Sequence, residues 1–331
     1  MIERALGFDP FGPGLSPVAV LLLLGGLFLY LLGLSRPARL RPPVTTLHVS
    51  LFLAGLGSIA LASNAPLAPL GHSLFSAHQV EHLLLRLLGP LLVALAHPWH
   101  LIHLALPRRW RRRVRSYGRN RLIRRLAHPK LAAAMLIAVI FFWQIPIAYG
   151  FAQRIPAVEA LAHGMMVVTG LWYFATLLDP RDPPAGHARA ARLISGFIVI
   201  VSNILLGCLT TLKETVVYAE YHTLAWEGSL SALADETIGG YTIWVPSSMI
   251  MILAIILVLN EWHRAEERRW ATRFAHQRSN SAALEFPETA AELRLKVANP
   301  NRQMARSLAL GALAMFCLVM VTAISVLSLA R

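Results

Sequence analysis

The chain has 331 residues, 56% hydrophobic and 15% charged, with a mean hydropathy of +0.55. That is more apolar surface than one soluble core hides, and it makes a lipid bilayer the natural solvent. The net charge of +14 does not point to nucleic acid, because the basic residues gather between apolar stretches, where they set topology. Cys208 and Cys317 each lie inside an apolar run, which excludes a disulfide framework and a CxxC site.

The N-terminal MIERALGFDPFGPGLSP has neither a basic segment ahead of its apolar run nor a small-residue cleavage site, so the first span is expected to persist in the mature protein. Stretches long enough to cross about 30 Å of hydrocarbon fall at 17–34, 46–62, 77–96, 131–150, 158–178, 193–212, 238–259 and 307–329. The predicted fold class is all-α: a polytopic bundle of about eight transmembrane helices. It comprises a seven-helix core over 1–265, a cytoplasmic basic linker over 266–305 and a C-terminal transmembrane helix over 306–331. The polar stretch 278–305, with Pro287 and Pro300, carries at most one short helix.

Lysine and arginine are retained on the cytoplasmic side, and the loops alternate accordingly. Arg36, Arg39 and Arg41 follow the first span. The segment from His97 to Lys130 holds eleven basic residues and no acid, and Arg181, Arg189 and Arg192 follow the fifth span. By contrast, 63–76 is uncharged, 151–157 carries only Arg154, and 213–237 sets Lys213 against five acids. The first group faces the cytoplasm and the second faces out, which places both termini outside. Within the inner segment, 108–125 is predicted either to lie as an interfacial helix on anionic lipid through Trp110, Val114, Leu122 and Ile123, or simply to hold the loop inside.

The third span contains FSAHQVEHLLLRLLGP, which sets His78 and His82 one turn apart on one helical face, with Arg86 and Gly89 continuing the stripe. A polar stripe in hydrocarbon faces protein or water. Two imidazoles at this spacing hold one metal ion if other helices supply further donors. Alternatively they serve as interhelical hydrogen-bond partners, or one of them ligates a b-type haem opposite His163.

At the same depth the topology offers His163, Met166 and Cys208. The outer loops add His72, His222, Asp235 and Glu236, with Tyr218 and Tyr221 expected as interfacial anchors. Imidazole with thioether and thiolate favours copper(I), whereas imidazole with carboxylate suits zinc or copper(II). The metal-ligand set read from the sequence is therefore His78, His82 and His163, with Met166, Cys208 and Asp235 as further donors.

Glu81 and Arg86, five residues apart, are poorly spaced to bridge each other, and a partner on another helix is expected for each. His97, His100 and His103 lie beside Pro98, which should end the helix. These three, and His48, His128, His187, His263 and His276, are read as inner-side residues with no shared site. P-loop, GxSxG, GxGxxG-acid and CxxCH patterns are missing, which removes nucleotide-driven transport, serine hydrolysis and covalent c-type haem from consideration.

The runs LFSAHQVEHLLLRLLGPLLVALAHP, LAHGMMVVTGLWYFATLLDP and ADETIGGYTIWVP together resemble the Caa3-type CtaG family of cytochrome c oxidase assembly factors, which are polytopic bacterial membrane proteins. The likeness covers roughly 20–265. It rests on His78, His82, Pro90 and Pro98, on His163 and Gly170, and on Asp235, Gly239, Gly240 and Trp244. Glu81 and Glu236 stand where the family commonly has glutamine, Gly89 where a second proline is common, and Arg86 where an apolar residue is usual. The resemblance implies a non-enzymatic protein of the bacterial cytoplasmic (inner) membrane that assists maturation of a haem-copper oxidase. Its partners would be oxidase subunits, copper chaperones and lipid, and its cofactor copper, with haem b as the alternative. A copper permease is a third reading.

Overall fold

The structure, a computed structural model, describes residues 17–37, 43–64, 67–117, 125–181, 186–218, 221, 230–275, 302–311, 313–315, 317–318 and 321. His222, His276 and most of 278–305 lie outside these. The described residues are helical and contain no strand. The chain divides into two compact units, Met1–Val258 and Leu259–Arg331. The first unit contains the site.

Helix α1 spans Pro17–Leu34 and α2 spans Thr46–Ala62. Thr45 caps α2: its Oγ1 accepts from His48 N, and the His48 ring returns to the Thr45 backbone. This arrangement satisfies two N–H groups that a helix start otherwise leaves bare. The stretch expected to be an outer loop forms a short helix, α3 (Leu67–Ser73).

The third span differs from one regular helix. It runs as α4 (Phe75–Leu83), a π-helical turn over Leu84–Leu88, and α5 (Gly89–Leu95). The extra residue of a π turn advances everything beyond it around the helix axis, and Arg86 sits within that turn. After α5 the chain bends by 73° into α6 (Trp99–Ala105). His97 adopts a positive φ of 47° at the bend, and Pro98 precedes the new helix, as its restriction of the preceding residue predicts. Helix α7 (Arg108–Tyr117) bears the basic run, with Trp110 and Val114 exposed and the Arg113 guanidinium 5.4 Å from the Trp110 ring.

The span expected over 131–150 is broken in two: α8 (Pro129–Trp143) and α9 (Pro146–Arg154) meet at 75°. Pro146 has no N–H to continue the ladder and its ring blocks the carbonyl four residues back, so α8 stops and a new helix starts with proline at its first position. Three longer helices follow: α10 (Pro156–Leu177), α11 (Arg189–Thr211) and α12 (Ala232–Ala275). By length and apolarity these three are able to cross a membrane, or up to six spans if each bent pair counts as one.

Helix α5 packs on α2 and α10, and α8 packs on α10 and α11. The approach is close because glycine lines it. A Cβ at Gly55 would lie 2.7 Å from Val93 Cγ2 and 2.9 Å from Gly89 O, and one at Gly170 would overlap Arg86 O and lie 2.8 Å from Pro90 Cγ. The apolar core of Leu87, Leu91, Leu136, Tyr173, Phe174 and Met251 fills the inner half of this bundle.

Candidate metal centre

Two helices bring His78, His82 and His163 together. Helix α4 supplies the first two at i and i+4, so their rings share a face with centroids 4.3 Å apart. Helix α10 supplies His163, whose ring lies 6.0 Å from that of His78 and 5.8 Å from that of His82. One donor atom from each falls within 4.8 Å of the other two. His78 and His82 are almost fully buried. Among the described residues, this is the group of histidine, cysteine and carboxylate side chains that converges closely enough for an ion.

The hydrogen bonding leaves capacity for a ligand. His82 Nδ1, His163 Nε2 and Glu81 Oε1 are buried without a hydrogen-bond partner, where an unmet polar group is costly. His78 Nδ1 stands 3.2 Å from Glu81 Oε2. A proton on Nδ1 directed at that carboxyl group leaves the Nε2 lone pair free, which is the tautomer carboxylate partners impose on metal-binding imidazoles. A three-coordinate ion with bonds of about 2.0 Å holds its donors about 3.5 Å apart, so closing the group needs side-chain rotation and no backbone movement. The donors thus fit a metal ion.

Of the further donors expected from the sequence, Asp235 and Cys208 lie outside this group. Asp235 is spent on the start of α4: its Oδ2 accepts from Phe75 N at 2.7 Å, and its Oδ1 accepts from Ser76 N at 3.1 Å and Ser76 Oγ at 2.5 Å. It caps a neighbouring helix and so fixes the base on which His78 and His82 stand. Met166 is fully buried in an apolar cluster with Ile59, Leu85, Val139 and Trp143. Cys208 is a free thiol, and neither it nor Asp235 belongs to the converging group. Glu236 accepts from Lys213 Nζ and from Val217 N and Tyr218 N, tying the outer loop to α12.

Tyr218 and Tyr221 are not interfacial anchors. Both are buried with Phe75 and Tyr149 in an aromatic cluster directly outside the histidines, because the loop after α11 folds back over α4. Tyr218 Oη donates to Gln144 O at 2.8 Å, and Tyr221 Oη lies 2.5 Å from Tyr149 Oη and donates to Gly71 O at 3.2 Å. Burial pushes both hydroxyls above their ordinary value, so each stays protonated and able to donate at neutral pH.

Three residues of this shell escaped the sequence reading: Tyr149, Gln153 and Glu159. Gln153 Nε2 donates to Tyr221 Oη at 2.5 Å and stands 3.5 Å from His78 Nδ1, while its Oε1 meets His72 Nδ1 at 3.0 Å. The available signal was a tyrosine and a glutamine one turn apart in an outer segment otherwise dominated by apolar residues.

Inward of the trio sits Arg86, 2% exposed. It donates to Asn203 Oδ1 and Ser247 Oγ, each at 2.9 Å, and reaches Ile243 O at 3.5 Å. Its partners lie on other helices, as the spacing predicts, but they are neutral. Glu81 pairs instead with His78. His128 and His187 stand with rings 5.0 Å apart, a pairing invisible in the sequence.

A model of the cytochrome c oxidase caa3 assembly factor family, Caa3_CtaG, matches residues 28–265. Uncharacterised proteins of Mycobacterium bovis and Mycobacterium tuberculosis are each 25% identical over 237 residues, and one of Mycobacterium leprae is 23% identical. These alignments cover 66–67% of this chain and 34–35% of each relative, so the chain spans about a third of the length of the curated relatives it matches. No solved structure matches it significantly. The family match covers most of the chain and all three histidines, and the chain belongs to the Caa3_CtaG family of cytochrome c oxidase caa3 assembly factors.

Proposed function

We propose that this chain is a non-catalytic copper-binding factor of the bacterial inner membrane. It would hold one copper ion between His78, His82 and His163 near the outer face and pass it to a haem-copper oxidase under assembly, with oxidase subunits and copper chaperones as partners. The eight-span topology with both termini outside is part of this reading. The observation that carries it is the convergence of three imidazoles, those of His78 and His82 buried, with donor atoms within 4.8 Å; His82 and His163 each bear an unpartnered ring nitrogen. Three neutral nitrogen donors suit copper, and the Glu81 carboxyl group 3.2 Å from His78 Nδ1 orients that ring toward the ion.

Two features favour holding over transport. The buried Arg86 guanidinium closes the inward side to cations, since an ion leaving the trio toward the cytoplasm must approach a fixed positive charge. The core cluster beyond it is largely aliphatic and aromatic. Three donors meeting at one point also favour an ion over haem b, which takes two axial ligands from opposite faces.

Protein purified in detergent and incubated with copper(I) should retain about one ion per chain and show no Soret band. The His78→Ala/His82→Ala variant should lose that ion. Unchanged copper content in the variant, or a Soret band in the wild type, overturns the reading.

A further inference from the structure

Outside the trio lies a second pair of potential ligands. His72, on α3, has a side chain 40% exposed, and Glu159, in the first turn of α10, is 19% exposed. His72 Nε2 is 3.4 Å from Glu159 Oε1. That separation is long for a charge-assisted N–H···O⁻ bond, which closes to about 2.7–2.9 Å. It does equal the span of two donors about 2.0–2.1 Å from one ion at a near-tetrahedral angle of roughly 110°. The other nitrogen of His72 is fixed by Gln153 Oε1 at 3.0 Å, and the amide of the same glutamine faces His78 Nδ1 at 3.5 Å. One side chain therefore joins the exposed pair to the buried trio. The charge pattern puts this pair on the outer side, where the surrounding segment 63–76 has no charge of its own to compete for a cation.

We propose that His72 and Glu159 form an outer capture site for the copper ion, occupied transiently before the ion moves inward past Gln153 to His78. This rests on the trio being the copper site. Two donors hold an ion weakly and exchange it fast, whereas three converging imidazoles hold it firmly, so the ion runs downhill from the pair to the trio. The carboxylate gives the exposed end a negative charge that raises the local cation concentration, and Gln153, which is neutral, presents no charge barrier between the two.

The test follows copper(II) transfer from a coloured chelator to the purified full-length protein by stopped-flow absorbance, since imidazole with carboxylate suits that oxidation state. His72→Ala/Glu159→Gln should slow loading by about tenfold or more, while final occupancy stays at that of the wild type. Loading at the wild-type rate overturns the capture site and leaves the pair as a brace between α3 and α10. Should the double variant also lose final occupancy, the isosteric Glu159→Gln variant decides: slowed loading at full occupancy supports the proposal, and a wild-type rate overturns it. In the His78→Ala/His82→Ala background a weakly held ion should remain and disappear when His72→Ala is added. If the wild type takes up no copper at all, the trio reading fails, and the capture site falls with it.

Discussion

Asp235 shows how one residue supports a site without belonging to it. Its carboxylate takes up two backbone N–H groups and one hydroxyl at the start of α4, and it is 4% exposed. Asp235→Ala leaves those donors buried and unmet, which costs about 2 kcal/mol. Thermal unfolding in detergent should show the loss, with copper stoichiometry kept at temperatures where the variant is folded. Lost copper in a variant of unchanged stability would instead make Asp235 a ligand. The sequence offered Asp235 as a further ligand from an outer loop and missed its role as a cap, because a carboxylate near imidazoles looks the same whether it faces an ion or a helix end. Composition and spacing revealed His78, His82 and His163 because polar groups in an apolar helix are costly and their depth follows from the loop charges. The tyrosines, Gln153 and Glu159 were hidden, since their contribution depends on how the broken α8–α9 segment and the loop after α11 fold over α4.

At the level of elements, the departures from regular helix bear on the site. The break at Pro146 angles α9 so that Tyr149 and Gln153 reach the histidines, and the π turn places Arg86 toward Asn203 and Ser247. The apolar lengths foretold helices at nearly these positions, and Pro98 and Pro146 stood in the sequence as visible breakers. The π turn had no such mark: nothing in LLRLL distinguishes it from α-helix, and tertiary contacts select it. Close helix contact is the second element-scale requirement. Gly170 faces the backbone of the π turn with no room for a methyl group, so Gly170→Ala should cost about 1–3 kcal/mol through overpacking. It should also displace α10 and His163 from α4, and lower copper occupancy is therefore expected alongside a lowered unfolding temperature. A variant unchanged in both would show that α10 moves aside freely.

For the whole molecule, the loop charges predict an outward face at the polar shell and a cytoplasmic basic rim. Arg108, Arg109 and Arg111 to Arg113 on α7 mark that rim. Orientation is open to direct measurement: with Cys208 and Cys317 replaced by serine, a Leu230→Cys variant should react with a membrane-impermeant maleimide on intact cells. A Ser116→Cys variant should react only after permeabilisation, and the reverse pattern would invert the molecule. One small contact also reaches beyond this chain. A Cβ at Gly71 would overlap the Glu81 carboxyl group, and Tyr221 bonds the Gly71 carbonyl, so a side chain at residue 71 would push that carboxyl group from its place beside His78. A glycine followed by histidine, seven residues ahead of a histidine pair enclosing a glutamate, is therefore a search pattern with a steric basis, able to sort distant sequences by whether they contain the outer pair as well as the buried trio.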